Sequence, residues 1–384
     1  MLLRVACLYL FFVEGAGSLL AKEPRQIREG GGAFVGSIGC KSSSCHGGAG
    51  PKRSQYFTWS RQDFHTKAYA VLLNARSERI AESLGIAGAQ SSARCTVCHS
   101  PLQSVAPSRL TPTTHPDEGV SCETCHGAAG GWLRGHTRTD WNYNTRVGAG
   151  MRDLRNLYVR ANACVACHQN LTPDLLQAGH PDLFFELDGQ SVAEPKHWRD
   201  EEPWSGLREW LTGQAVALRE MSWALAGDSQ SDGFSNARWN GLAWLCATAT
   251  SAGNIPSQVS LPSSTPGRSD FTSMQKQADA LARSASISNW SDSSARSLLV
   301  ALASADAEFA AKETANQLLG QRAKRLVLAL DRLASALSQN RGVCLKIDPE
   351  LNQLFQDVKT LDAFDASGFA GHLRAFREAL DKSG

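Results

Sequence analysis

Two cysteines three positions apart, with a histidine directly after the second, occur at Cys95-Thr96-Val97-Cys98-His99, Cys122-Glu123-Thr124-Cys125-His126 and Cys164-Val165-Ala166-Cys167-His168. A stretched form, with four residues between the thiols, occurs at Cys40-Lys41-Ser42-Ser43-Ser44-Cys45-His46. The spacing suits one chemistry. Each thiol adds across one vinyl group of a porphyrin, so the two sulfurs must span neighbouring pyrroles, and the adjacent imidazole is then aimed at the iron as proximal ligand. Eleven Cys and ten His scattered over 384 positions would give about 0.3 Cys-His dipeptides by chance, and four are present. Structural zinc pairs two such hooks around one ion without needing His after the second Cys each time. Cys7, Cys246 and Cys344 are widely scattered and do not resemble a disulfide framework. The hooks therefore predict four covalent haem c groups, with His46, His99, His126 and His168 as proximal ligands.

Four irons need second ligands, and six histidines remain: His65, His115, His136, His180, His197 and His372. His65 opens a helical stripe continued by Ala68, Leu72, Arg76, Ile80 and Leu84. A histidine there is ordinarily a packed or capping residue, but the irons favour a haem role. His115 lies in a Pro-, Ser- and Thr-rich loop over 100–118. His136 follows Gly127-Ala128-Ala129-Gly130-Gly131, a run able to turn closely over a porphyrin. His180 and His197 each sit beside apolar or aromatic residues that could wall a haem edge, and His372 reads as structural. The arginines between 134 and 160 make either a solvated face or partners for haem propionates, and both readings stay open.

The elements that carry these residues predict a mainly α chain. Residues 1–21, with Arg4 before a short apolar run ending at Val13, have the outline of a secretory signal; nine apolar residues before Glu14 are too few to span a membrane. Residues 22–204 form the tetrahaem cytochrome c domain, helices and loops around packed haems. A helical extension over 205–250 shows one apolar face in Leu207, Trp210, Leu211, Leu218, Met221 and Leu225. A Ser/Pro-rich linker over 251–270 precedes a C-terminal helical bundle over 271–384, whose longest helix has Leu319, Leu326, Leu330, Leu333 and Leu337 as its stripe. Cys246 reads as a small buried thiol. The formal charge of +2 gives no reason to expect nucleic acid as a partner.

The first two hundred residues resemble the multihaem cytochrome c-554 family of exported electron-transfer proteins. The resemblance rests on the four hooks in order, the aromatic approach Tyr56, Phe57, Trp59 to His65, the core Gly119-Val120-Ser121-Cys122-Glu123-Thr124-Cys125-His126-Gly127, and Trp132 and His136 just after it. It implies a fold of helices and loops with little sheet. It also implies that His65 is the distal ligand opposite His126, His136 opposite His46, and His180 opposite His168. The iron on His99 would be open, as in the family's namesake, or closed by His115 or His197, which have no clear counterpart there. The stretched first hook and the helical C-terminal half depart from the family pattern.

Together these readings give an exported, periplasmic cytochrome that relays electrons between redox partner proteins. Two rivals remain: a haem oxidoreductase acting on a small nitrogen or oxygen species at an open iron on His99, and a haem subunit docked through its bundle to a membrane-bound respiratory complex. No hook has Lys in place of His, the mark of the related nitrite reductases, which favours a carrier over an enzyme.

Overall fold

Leucine and alanine at helical spacing dominate the second half of the chain, while the first half is punctuated by Gly, Pro and Ser, and the two halves fold accordingly. The computed structural model describes residues 32–169, 171–198, 202–227, 233–252, 255–310, 316–342 and 345–383. The signal segment 1–21, Cys7 and Cys344 lie outside the described residues. Among the described residues there is no β-strand, only a parallel bridge between Phe34 and Leu110.

The front part is built from short helices joined by loops and 3-10 turns. Helix α1 (Gln55–Gln62) approaches His65, and α2 (Ala93–His99), α3 (Cys122–His126) and α4 (Leu157–His168) each end on the histidine of a hook. The stretched hook instead follows a 3-10 turn, Ser37–Cys40, and lies in turns. Apart from α4, the clustered apolar packing described here lies in two small groups, one around Phe34, Leu102, Val105 and Ala128, the other around Leu72, Ala81 and Ala89.

The back part comprises α5 (Leu187–Ala193), α6 (Ser205–Gly227), α7 (Gly233–Ala252), α8 (Arg268–Ala285), α9 (Asp292–Ala303), α10 (Asn316–Arg341), α11 (Asp348–Asp357) and α12 (Ala366–Lys382). Helix α6 packs along α8, and α7 along α10. Trp210, Trp239, Phe309, Phe369 and Phe376 are fully buried between them, as is the leucine stripe of α10. One continuous core holds all of this. The Ser/Pro-rich stretch 251–270 does not separate two cores, because α7 before it and α8 after it bury their apolar faces in the same one. Cys246 lies in that core, where burial pushes its thiol up to about 12.

The core also crosses the expected boundary at 204. Helix α4, which carries the fourth hook, contributes Ala161 and Val165 to it. Polar contacts reinforce the junction: Tyr158 Oη donates to Asp279 at 2.6 Å, and Arg219 donates to Asp279 at 2.9 Å and to Asn162 Oδ1.

Between the two parts, residues 179–197 form a strap that the bundle grips along its length. Arg238 donates to Asp182 at 2.8 Å and to the Leu183 carbonyl at 2.7 Å. Arg325, 3% exposed, donates to Glu186 and Gln214, both at 3.1 Å, and stacks 3.6 Å over the Phe184 ring. Arg332 pairs with Asp188. Gly213 on α6 lets α5 come close, since a Cβ there would lie 2.7 Å from that of Leu187. On the front side, Arg76 donates to the Gly179 carbonyl at 2.7 Å.

Removing one partner of a buried ion pair leaves the other charge uncompensated, at a cost of about 3–5 kcal/mol. Arg325→Met should therefore lower the denaturant midpoint of the protein strongly, and Arg325→Met combined with Glu186→Leu should recover much of the loss. The check is equilibrium unfolding of the two variants beside the parent.

Candidate functional site

Each hook is fixed locally before any ring meets another. Helix α3 is capped by Ser121, whose backbone N–H donates to Thr124 Oγ1 at 3.2 Å. Its Glu123 is buried and accepts from the backbone N–H groups of Val35, Gly36 and Ala129 at 2.6–3.1 Å. Burial pushes the Glu123 carboxyl up, and those donors work in the opposite sense. Glu118 accepts from Ser37 N and Oγ. Two carboxylates beside the third hook thus pin the segment that leads into the first. Gly119, at φ +80°, makes room for the His65 carbonyl, which a Cβ would approach to 2.6 Å. Val120 N donates to that same carbonyl at 3.0 Å, and Trp59 Nε1 donates to Val120 O at 3.0 Å. Asn156 caps α4, accepting from Tyr158 N and Val159 N.

Eight histidines then meet in four pairs. Ring centroids are 6.2 Å apart for His46 and His136, 6.0 Å for His65 and His168, 6.3 Å for His99 and His180, and 6.2 Å for His126 and His197. The interplanar angles differ widely, from 18° to 86°, so ring stacking is not what sets the common distance. A metal–imidazole bond is about 2 Å and the ring centroid lies about 1 Å beyond the nitrogen, so two imidazoles on one metal have centroids about 6 Å apart. In every pair one member is the histidine of a hook.

Six of the eight outer nitrogens have a described partner. Nδ1 of His99, His136, His180 and His197 donates to the carbonyls of Ala68, Leu133, Pro181 and Pro195 at 2.6–3.3 Å. His46 Nδ1 donates to Gln55 Oε1 at 3.1 Å. His65 Nδ1 lies 3.0 Å from Asp63 Oδ1 and 3.2 Å from Glu194 Oε2. An acceptor at Nδ1 fixes the proton there and leaves Nε2 as the ligating nitrogen. Burial pushes His126 and His168 down to about 4 and lowers His99, so these rings are neutral at pH 7, the form that binds metal. Hydrogen bonds to Asp63 and then to Glu194 push His65 up to about 10.

The eight hook cysteines form no disulfide with one another. Paired imidazoles, with two thiols beside one of them, form the donor set of a haem c held on both faces, and the residues fit that group. The buried indole N–H of Trp132, whose ring lies 5.4 Å from that of His136, has no acceptor among the described residues, and a haem propionate would supply one. Residues 39–127 match the model of the family described as cytochrome c554 and c-prime. The N-terminal part of this chain is a cytochrome c-554 family domain. The family makes it a haem-binding electron-transfer cytochrome with covalent haem c. No curated protein and no solved structure matches the chain.

The c-554 match spans the first three hooks and stops directly after His126. The fourth hook and the rings of His136, His180 and His197 all lie beyond it. There the arrangement departs from the pattern the resemblance implied. His65 faces His168 rather than His126; His180 faces His99 rather than His168; and His126 meets His197. His99 thus has the ring of His180 facing it, and His115 is exposed in its loop. The reason is the strap. Anchored on α10, it brings His180 to His99 and His197 to His126, which leaves His168 for His65. His136 faces His46, and His372 pairs with Asp357 at 2.8 Å in the bundle.

Four acidic residues that position the c-554 site were not singled out from sequence: Asp63, Glu118, Glu123 and Glu194. Glu123 sits between the two thiols of a hook, and Asp63 has the spacing of a cap two residues before His65; both were findable. Glu194 carried no local signal.

Intact mass after acid–acetone extraction should retain four haem additions, one of them on Cys40 and Cys45. Three additions, with Cys40 or Cys45 open to alkylation, would remove the stretched hook from the set.

Proposed function

We propose that the protein is an exported tetrahaem cytochrome c that passes single electrons between redox partner proteins, each iron being held by one of the four imidazole pairs. The observation that carries this reading is the common centroid separation of 6.0–6.3 Å in four pairs of differing tilt. Bound there, haem c supplies a one-electron Fe(III)/Fe(II) couple. His46, His99, His126 and His168 would hold the proximal faces, and His136, His180, His197 and His65 the distal ones. Two imidazoles facing each other across each site would keep the coordination of a bound iron the same in both oxidation states, so little would have to reorganise when an electron arrives. Nδ1 hydrogen bonds lock ring orientation and set ligand basicity.

Contacts between hooks support a linear order for the four sites, numbered by hook along the chain. The side chains of Cys40 and Cys122 lie close together, as do those of Cys98 and Cys167. Cys125 is close enough to Cys164 to raise the cost of charge on the Cys164 sulfur. Site 1 thus adjoins site 3, site 3 adjoins site 4, and site 4 adjoins site 2, making sites 1 and 2 the ends where partners exchange electrons.

A closed pair at His99 speaks for a carrier over an enzyme working at an open iron. Export rests on the apolar N-terminal segment and on the family's habit; among the described residues no helix is long and apolar enough to cross a membrane. The bundle's role in gripping the strap gives it a task within the chain, without need of a larger respiratory complex as its partner.

His180→Ala and His197→Ala should each convert one low-spin iron to high spin in absorption and EPR spectra while all four haems are retained, and His115→Ala should change neither. The reduced parent should bind no carbon monoxide. One carbon monoxide per parent molecule, with turnover of nitrite, hydroxylamine or nitric oxide, would sink the carrier reading.

A further inference from the structure

Among the six paired imidazoles with an Nδ1 partner described above, five meet a neutral oxygen: four backbone carbonyls and the Gln55 amide. His65 alone of these meets carboxylates, and it meets two. They come from distant parts of the chain. Asp63, 5% exposed, caps the turn that begins at Phe64 and also accepts from His65 N at 2.8 Å. Glu194 ends α5 on the strap. The ligand atoms of Asp63, His65 and Glu194 all lie within 4.8 Å of one another. Three residues on, His197 faces His126, so one turn of the strap serves sites 3 and 4 together.

An N–H donor shared with a carboxylate pushes electron density back into the imidazole and makes the ligating nitrogen more basic. A more basic ligand and nearby negative charge both stabilise ferric over ferrous iron. Neutral acceptors do this more weakly. We infer that Asp63 and Glu194 form a carboxylate dyad that acts through His65 to give site 4 the lowest reduction potential of the four. This rests on the reading of His65 as an iron ligand opposite His168. Asp63 and Glu194 are positioning residues: neither touches the iron, and each acts through the ring of His65.

The test uses the holoprotein with Asp63→Asn, Glu194→Gln and the two combined, each followed by spectroelectrochemical titration resolved into four one-electron components. Asn at 63 can still accept from His65 N, and Glu194→Gln alone carries the test if the Asp63 variant folds poorly. In the double variant the lowest component should become at least tenfold easier to reduce, a rise of about 59 mV for one electron, while the others move less than threefold. Gln55→Glu, which puts a carboxylate at His46 Nδ1, should make a different component harder to reduce by a comparable factor. His65→Ala identifies the site 4 component as the one that turns high spin. Four low-spin haems with unmoved potentials in the double variant would overturn the dyad's role and leave the ligand assignment standing. Movement of a component other than the lowest would overturn it as well. Failure of His65→Ala to create a high-spin iron would overturn the ligand assignment, and the dyad with it.

Discussion

Arg325 is buried on the longest helix of the bundle, held by Glu186, Gln214 and the face of Phe184. Its guanidinium is pushed down to about 10 by burial and so remains charged at neutral pH. A buried charge is tolerated only when paired and hydrogen-bonded, and here the partner belongs to the strap. The contact therefore fixes not only α10 but also where residues 179–197 run, with Arg238 on Asp182 and Arg332 on Asp188 repeating the device on either side. His180 and His197 inherit their places from these arginines. The c-554 stretch supplies the first three hooks and α4 the fourth, and the bundle supplies the path by which two of the facing rings reach them.

Acidic side chains do the corresponding work inside the front part, where little apolar surface is available to pack. Glu123 gathers three backbone N–H groups from two separate segments, and Glu118 holds Ser37. Carboxylates accepting several backbone donors are directional in a way that apolar contact is not. A fold made of turns around large cofactors needs that direction, because its helices are too short to set one another's angles by ridge-and-groove packing.

The hooks were legible because covalent chemistry imposes a fixed local spacing, and the α10 stripe because burial imposes a helical period. The all-helical class followed from both. What sequence could not yield was which imidazole meets which. His65, His180 and His197 were all singled out, yet their partners depend on long-range anchoring through Arg238, Arg325 and Arg332, residues that on their own read as ordinary charged positions on amphipathic helices. The family pattern was a poor guide there for a physical reason: the matched stretch ends at residue 127, and the strap lies wholly outside it. The Ser- and Pro-rich stretch 251–270 is a similar case, since Ser and Pro report on local backbone preference and carry no information about whether the flanking helices share a core.

The facing pairs also impose an order of assembly. Each imidazole pair joins points far apart along the chain, and an iron between them would act as a cross-link that closes a long loop. For a chain emerging from its N-terminus, both rings of the first site are present once residue 136 has appeared, whereas the rings opposite His99 and His126 arrive only with residues 180 and 197. The strap that carries those rings is not fully anchored until α10 exists to receive Glu186 and Asp188. Formation of the second and third imidazole pairs is thereby tied to completion of a helix more than a hundred residues further along, so an unfinished chain is also one in which His99 and His126 still lack a facing ring.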